Sequence, residues 1–152
     1  MQQVQMLAYV SDLNSPPLRC VEAQRRAQAQ CASLGLSGIM VLRGTIAFQV
    51  IEGAPHMVNT HLTRRLADDS AGPVTVLINE PGERRHFDTG SITSFHDTLQ
   101  EHDLLATLHQ IGEYLAAGLG YSPSGMVHCA RRMVRGLAAV QMPPTAMRLQ
   151  PA

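Results

Sequence analysis

The amino-acid sequence predicts an α+β sandwich, and three observations predict it. Short β-rich apolar runs alternate with two stretches of helical spacing, in the order β-α-β-β-α-β. The two middle strands are joined by Arg43-Gly44, and tight turns want Gly because it takes positive φ without steric cost. One more strand and two helical stripes follow. That order is ferredoxin-like, a sheet with helices on one face, here carrying a fifth strand and two C-terminal helices.

Val4 to Val10, closed by Ser11-Asp12, is the first strand. Asn14-Ser15-Pro16-Pro17 opens the first helix, because Ser15 can cap it and a Pro is tolerated in its first turn. It runs to about Leu34, and Gly35 stops it. Cys20, Ala23 or Ala27, Cys31 and Leu34 make its packing side; Glu22, Arg25, Arg26 and Gln28 make its wet side. Gly38–Leu42 and Thr45–Ile51 form the hairpin. Pro55 opens a second helix with Val58, Leu62 and Leu66 at i, i+4, i+8, ending near Asp68. Val74–Asn79 is the fourth strand, Glu80-Pro81-Gly82 a turn, and Arg84 to about Thr93 the fifth strand. Leu104, Leu108, Ile111, Leu115 and Leu119 mark a third helix ended by Gly118 and Gly120. Ser122-Pro123 starts a fourth, with Met126, Cys129 or Ala130, Met133 and Leu137 on one side. The expected organisation is an α/β domain over 1–95, a helical extension over 96–142 on the sheet or at a subunit interface, and a frayed tail over 143–152.

One residue breaks the pattern. Gln49 is an amide inside the apolar run Ile46 to Ile51. On a buried face it must be paired, since an unpaired polar group costs about 1–3 kcal/mol.

The 152 residues suit one domain, and a formal net charge of zero gives no pull toward nucleic acid or an anionic membrane. Cys20, Cys31 and Cys129 are odd in number and scattered, which fits a reducing compartment. The N-terminus lacks signal-peptide features, and no apolar run approaches the roughly 18 residues of a membrane span. These features predict a soluble, cytoplasmic protein.

The chemistry-bearing residues are sparse. His102 and His109 are seven apart and no acidic partner completes a metal site. Cys31 is the candidate nucleophile, but on a packing face a thiol is inert. Arg84-Arg85-His86 reads as a solvated basic strand end. No glycine-rich phosphate loop is present. An acylphosphatase-like enzyme of this fold needs a phosphate cradle after the first strand; SDLNSPPLR contains two prolines and no glycine, so no enzyme is expected.

Three phrases carry a family resemblance: Leu7-Ala8-Tyr9-Val10-Ser11, Leu36-Ser37-Gly38 followed by Phe48-Gln49-Val50-Ile51-Glu52-Gly53, and Glu80 to Phe87 (EPGERRHF). Together, over roughly residues 5–95, they resemble the BLUF domain, the FAD-based blue-light sensor of bacteria. The resemblance implies that Tyr9 is the photoactive tyrosine and Gln49 the switching glutamine. It places Gln30, Cys31, Gln49, Arg64 and Asp68 around the flavin, which is FAD, or FMN in its place. The chemistry is coherent on its own. A phenol of pKa about 10 is neutral and can give an electron and then a proton to an excited ring. An amide carries donor and acceptor on one group, so its rotation or tautomerisation exchanges partners.

Several positions depart from the family pattern. Cys31 stands where the family has asparagine, Ser70-Ala71-Gly72 where it often has His or Arg, and Gly90 and Ile92 where it commonly has Trp and Met. Two readings therefore stand side by side: an FAD-binding blue-light sensor, and a flavin-free interaction module of the same fold. A Cys31–flavin photoadduct is a third. No effector domain is expected after the sensor, so output would pass through contacts with a downstream protein or a homo-oligomer. The stripe Leu104–Leu119 is either that docking surface or packing for the open sheet face.

Overall fold

The structure is a computed structural model that describes residues 3–12, 25–26, 28–43, 46–68, 73–87, 92–96, 102–117 and 123–141. β1 (Val4–Asp12), β2 (Ser37–Arg43), β3 (Ile46–Gly53), β4 (Val74–Gly82) and β5 (Ile92–His96) form one sheet in the spatial order β4-β1-β3-β2-β5. The first four strands pair antiparallel, and β5 joins β2 in parallel. The helices are α1, described at 25–26 and 28–33, α2 (Pro55–Ala67), α3 (His102–Ala117) and α4 (Pro123–Gln141). This is the α+β, ferredoxin-like architecture, with a fifth strand and two C-terminal helices. No described helix is long and apolar enough to cross a membrane.

Strand alternation divides the interior into two cores. Met6, Ala8, Val10, Ile39, Val41, Phe48 and Val50 pack with Leu104, Leu108, Ile111, Met126, Met133 and Leu137 of α3 and α4. Leu7, Tyr9, Met40 and Ile51 pack on the opposite face with Cys31, Leu36 and Val58 of the α1 and α2 side. Leu104, Leu108 and Ile111 of the α3 stripe are thus spent in the core that the sheet shares with α4 and offer no docking surface, and Leu119 lies outside the described residues.

Two glycines fix the α1–β2 junction. Gly35 has φ 68°, its N–H donates to the Ala32 carbonyl (3.2 Å), and Leu36 N–H donates to the Cys31 carbonyl (2.9 Å). This is a Schellman stop, satisfying carbonyls the helix end would leave open. At Gly38 a Cβ would run into the Val50 carbonyl of β3, so the close approach of the two strands excludes any side chain.

The structure corrects four sequence expectations. β4 continues through Glu80 and Pro81 to Gly82, because Val4, Gln5 and Met6 of β1 pair with Gly82, Pro81 and Glu80. Pro81 is tolerated because β4 is an edge strand. β5 begins at Ile92, not Arg84, because side chains hold residues 85–87 out of the ladder. The Glu52 carboxylate accepts from His86 N–H (2.8 Å) and Phe87 N–H (3.0 Å), and its other oxygen meets His86 Nδ1 at 2.7 Å. Arg85 donates to Ser37 Oγ, the Glu52 carbonyl and the Gly35 carbonyl at 2.9, 3.1 and 3.1 Å. The basic cluster is therefore a clamp and not a solvated strand end. On α2, Leu66 is 58% exposed while Val58 and His61 are buried. Steps of four residues advance about 40° past each helical turn, so i+8 has left the packing face that i+3 occupies. The first-helix N-terminus, the Gly44 turn, the loop after β1, Ser70-Ala71-Gly72, Gly90, the glycines after α3 and the tail lie outside the described residues.

Glu52 is fully buried, so its removal leaves two backbone donors without an acceptor. Glu52→Ala is expected to lower unfolding free energy by about 3 kcal/mol, measured by urea denaturation. Glu52→Gln keeps the accepting oxygen and loses less than half of that.

Candidate functional site

One row of the sheet builds the site. Tyr9 of β1 lies opposite Gln49 of β3, and Gln49 lies opposite Met40 of β2. All three are buried, and Tyr9 and Met40 belong to the core beneath α1 and α2. The β1–β4 register shifts between Ala8 and Tyr9, an irregularity of the kind that re-aims a side chain. From α2, His61 comes down onto this row; from the end of α1, Cys31 meets it.

Tyr9 Oη donates to Gln49 Oε1 at 2.6 Å and stands 3.0 Å from His61 Nε2. The Tyr9 and His61 rings lie 5.9 Å apart at 35°. His61 Nδ1 is 3.6 Å from Cys31 Sγ. The remaining polar atom, Gln49 Nε2, is buried and has no hydrogen-bond partner among the described residues. Whichever way the amide is placed, one of its atoms faces Tyr9 and the other is left over.

Burial sets the protonation states. It raises the Tyr9 phenol above its ordinary value, against the opposing pull of the Arg65 guanidinium. It pushes the Cys31 thiol up to about 12. It pulls His61 down to about 4, assisted by the positive charges of Arg65 and then Arg64. At neutral pH all three groups are uncharged. A thiol held protonated is a poor nucleophile.

Of the residues named from the sequence, the structure brings Tyr9, Gln49 and Cys31 together. It leaves Gln30, Arg64 and Asp68 exposed. The Gln30 carbonyl accepts from Ser33 Oγ and Leu34 N–H at the end of α1, Arg64 reaches the site only through its charge, and Asp68 caps α2. Ile92 sits opposite Gly38 at the start of β5. The sequence reading missed His61 and Met40. Both had a signal: His61 is three residues after Val58, on the same helical face, and Met40 alternates with Ile39 and Val41 onto the opposite strand face. Among the described residues, no group of three His, Cys, Asp or Glu could hold a metal ion.

A family model described as sensors of blue light using FAD matches residues 4–93. The chain belongs to the BLUF family. No curated protein matches by sequence. Among solved structures, the BLUF domain of BlrP1, a Klebsiella pneumoniae protein, is 24% identical at TM-score 0.60, covering 93% of this chain and 91% of that one. The dark-state BLUF protein BlrB is 21% identical at TM-score 0.61, covering 90% and 98%. A bacterial light-regulated adenylyl cyclase is 18% identical at TM-score 0.62 over 75% of this chain, which spans 36% of the cyclase. These likenesses concern the fold. Gln49 Nε2 fits the BLUF cofactor chemically: it is a buried donor with no acceptor among the described residues, and a flavin edge carries carbonyl acceptors.

The depressed His61 fixes a pH dependence. The unfolded chain takes up a proton on His61 near 6.5, the folded chain only near 4. Between those values the unfolded state binds more protons, so stability is full above 6.5 and falls as pH drops toward 4. The loss amounts to about 3 kcal/mol. Urea unfolding at pH 7.5 and 4.5 is expected to show this difference, and His61→Gln is expected to remove it.

Proposed function

We propose that this BLUF domain is a blue-light receptor that holds FAD, or FMN in its place, against Gln49. The observation that carries the reading is the orphaned Gln49 Nε2, an expensive feature in a dry core unless an acceptor fills it. When bound, the flavin supplies blue-light absorption and an electron-deficient excited ring. Tyr9 is the electron and proton donor: it is neutral, buried, and in a short hydrogen bond. Gln49 is the group that rearranges, because one amide can present either a donor or an acceptor to Tyr9 in the same space. Two such arrangements make the bistable element a switch requires.

Gln49 also sits where a change can travel. Its neighbours Phe48 and Val50 face the other core, against α3 and α4. A rearranged amide therefore shifts a strand whose far side carries the C-terminal helices. Output passes from these to a downstream protein or to a second copy of this chain, and residues 1–95 form the sensor with 96–142 as its transmitting extension.

The competing reading, a flavin-free interaction module, draws on one observation. Cys31, which stands where the family has asparagine, is already engaged by His61 at 3.6 Å. A spectrum separates the two. Protein reconstituted with FAD is expected to be yellow, to shift slightly to the red under blue light, and to recover in the dark; colourless protein would overturn the sensor reading. Gln49→Leu is expected to keep flavin and abolish the shift. Sedimentation of the loaded protein is expected to differ between light and dark if a second copy receives the signal.

A further inference from the structure

Four buried side chains form an unbroken line: Cys31, His61, Tyr9 and Gln49, with contacts of 3.6, 3.0 and 2.6 Å. The two outer members are the residues the sequence set in tension, a thiol in place of an amide and an amide in an apolar strand. Gln49 meets Tyr9 directly, and the member that joins Cys31 to Tyr9 is a histidine held neutral in the core.

Donor and acceptor counting leaves this line few states. The Tyr9 hydroxyl has one proton and two lone pairs, and Arg65, which can only donate, takes one of those lone pairs in every state, so one proton and one lone pair are left for Gln49 and His61. With Gln49 Oε1 facing it, that proton goes to the amide oxygen, and His61 Nε2 must carry hydrogen and donate to Tyr9 Oη. A neutral imidazole has one N–H, so Nδ1 is bare and accepts from the Cys31 thiol. All bonds then run from Cys31 toward Gln49. The amide turned over gives the reverse. Gln49 Nε2 donates to Tyr9, Tyr9 donates to His61 Nε2, and the other tautomer donates from Nδ1 to Cys31 Sγ. The mixed states fail. An Oε1 and a bare Nε2 compete for one phenolic proton; an amide N–H and an Nε2–H both point at Tyr9 and leave its proton without an acceptor. In a buried site such unmet groups are penalised.

The geometry assigns to His61 the role of a positioning residue whose tautomer is locked to the orientation of the Gln49 amide through Tyr9. Cys31 ends the line as a weak partner that can either donate to Nδ1 or accept from it. The outer edge of Gln49 presents a donor in one polarity and an acceptor in the other, so His61 sets which hydrogen bond the site offers a ligand. The physiological use of this coupling rests on the light-sensor reading; the coupling itself belongs to the protein without flavin.

The test reads the tautomer. In flavin-free protein labelled with 15N-histidine at pH 7.5, the His61 ring, identified by its loss in His61→Gln, is expected to be the Nε2–H form. Gln49→Leu removes the acceptor, so the Tyr9 proton turns to Nε2 and the ring is expected to switch to the Nδ1–H form. Gln49→Met, closer in volume, is expected to do the same and serves if the leucine variant does not fold. An Nε2–H ring unchanged by both substitutions, or a charged ring in the wild-type protein, would overturn the coupling. A switch in these variants without any light-induced spectral shift in FAD-treated wild-type protein leaves the coupling standing and removes the sensor reading. An unchanged ring beside a normal light shift does the opposite.

Discussion

A buried primary amide must satisfy a donor and an acceptor, and the described residues provide for one of them. Gln49 occupies the central strand of a five-stranded sheet, and Tyr9, its cross-strand neighbour, meets only one end of the amide. The pairing of β1 with β3 is what makes the contact possible, because directly opposed residues in an antiparallel pair bring side chains of one face together. A shift of one residue would send Tyr9 and Gln49 to opposite cores. The register is pinned by the apolar residues on either side, Ala8 and Val10 on β1, Phe48 and Val50 on β3, which need the α3–α4 core.

The same strand ends in a second buried polar device. Glu52 lies three residues beyond Gln49 on β3, and its carboxylate gathers His86 and Phe87, while Arg85 ties the strand to the α1–β2 junction. One strand therefore carries an amide with one end unpaired among the described residues and a carboxylate with both oxygens engaged. The contrast is physical. A satisfied group rigidifies its surroundings, whereas a half-satisfied buried one is costly until it gains a partner. Arg131, which reaches from α4 to Glu80 with contacts of 2.6 and 2.9 Å, adds an exposed tie between the outer helices and the edge strand. Such surface pairs contribute little to stability, so the helices are held chiefly by Leu104, Leu108, Ile111, Met133 and Leu137.

Much of this was legible in the chain. Strand and helix order followed from period and turn chemistry, and Gly35 marked the helix stop it forms. Gln49 stood out because polarity in a β-rich run needs a reason, and Tyr9 came with it through the family resemblance. What escaped was polar residues in roles that local pattern does not announce. His61 looks like a surface histidine among Asn59, Thr60 and Thr63 until α2 is laid on the sheet. Arg85 and His86 look like solvated charge until Glu52, more than thirty residues away, is brought beneath them. Leu66 fails the other way, an apolar residue in a helical series that ends on the surface.

The α+β sandwich, the division into two hydrophobic faces and an amide in need of explanation are all readable in the linear chain. These depend on interactions within a few residues, where periodicity and backbone preference act. The amide's partners emerge on folding alone: Tyr9 on one end, none of the described residues on the other, and behind Tyr9 a histidine and a thiol. Hydrogen-bond partners are chosen by geometry between elements far apart in the chain, to within a few tenths of an ångström, and no spacing in a linear sequence encodes that. SGIMVLRGTIAFQVIEG announced a buried glutamine; folding put it at the open end of a four-residue line.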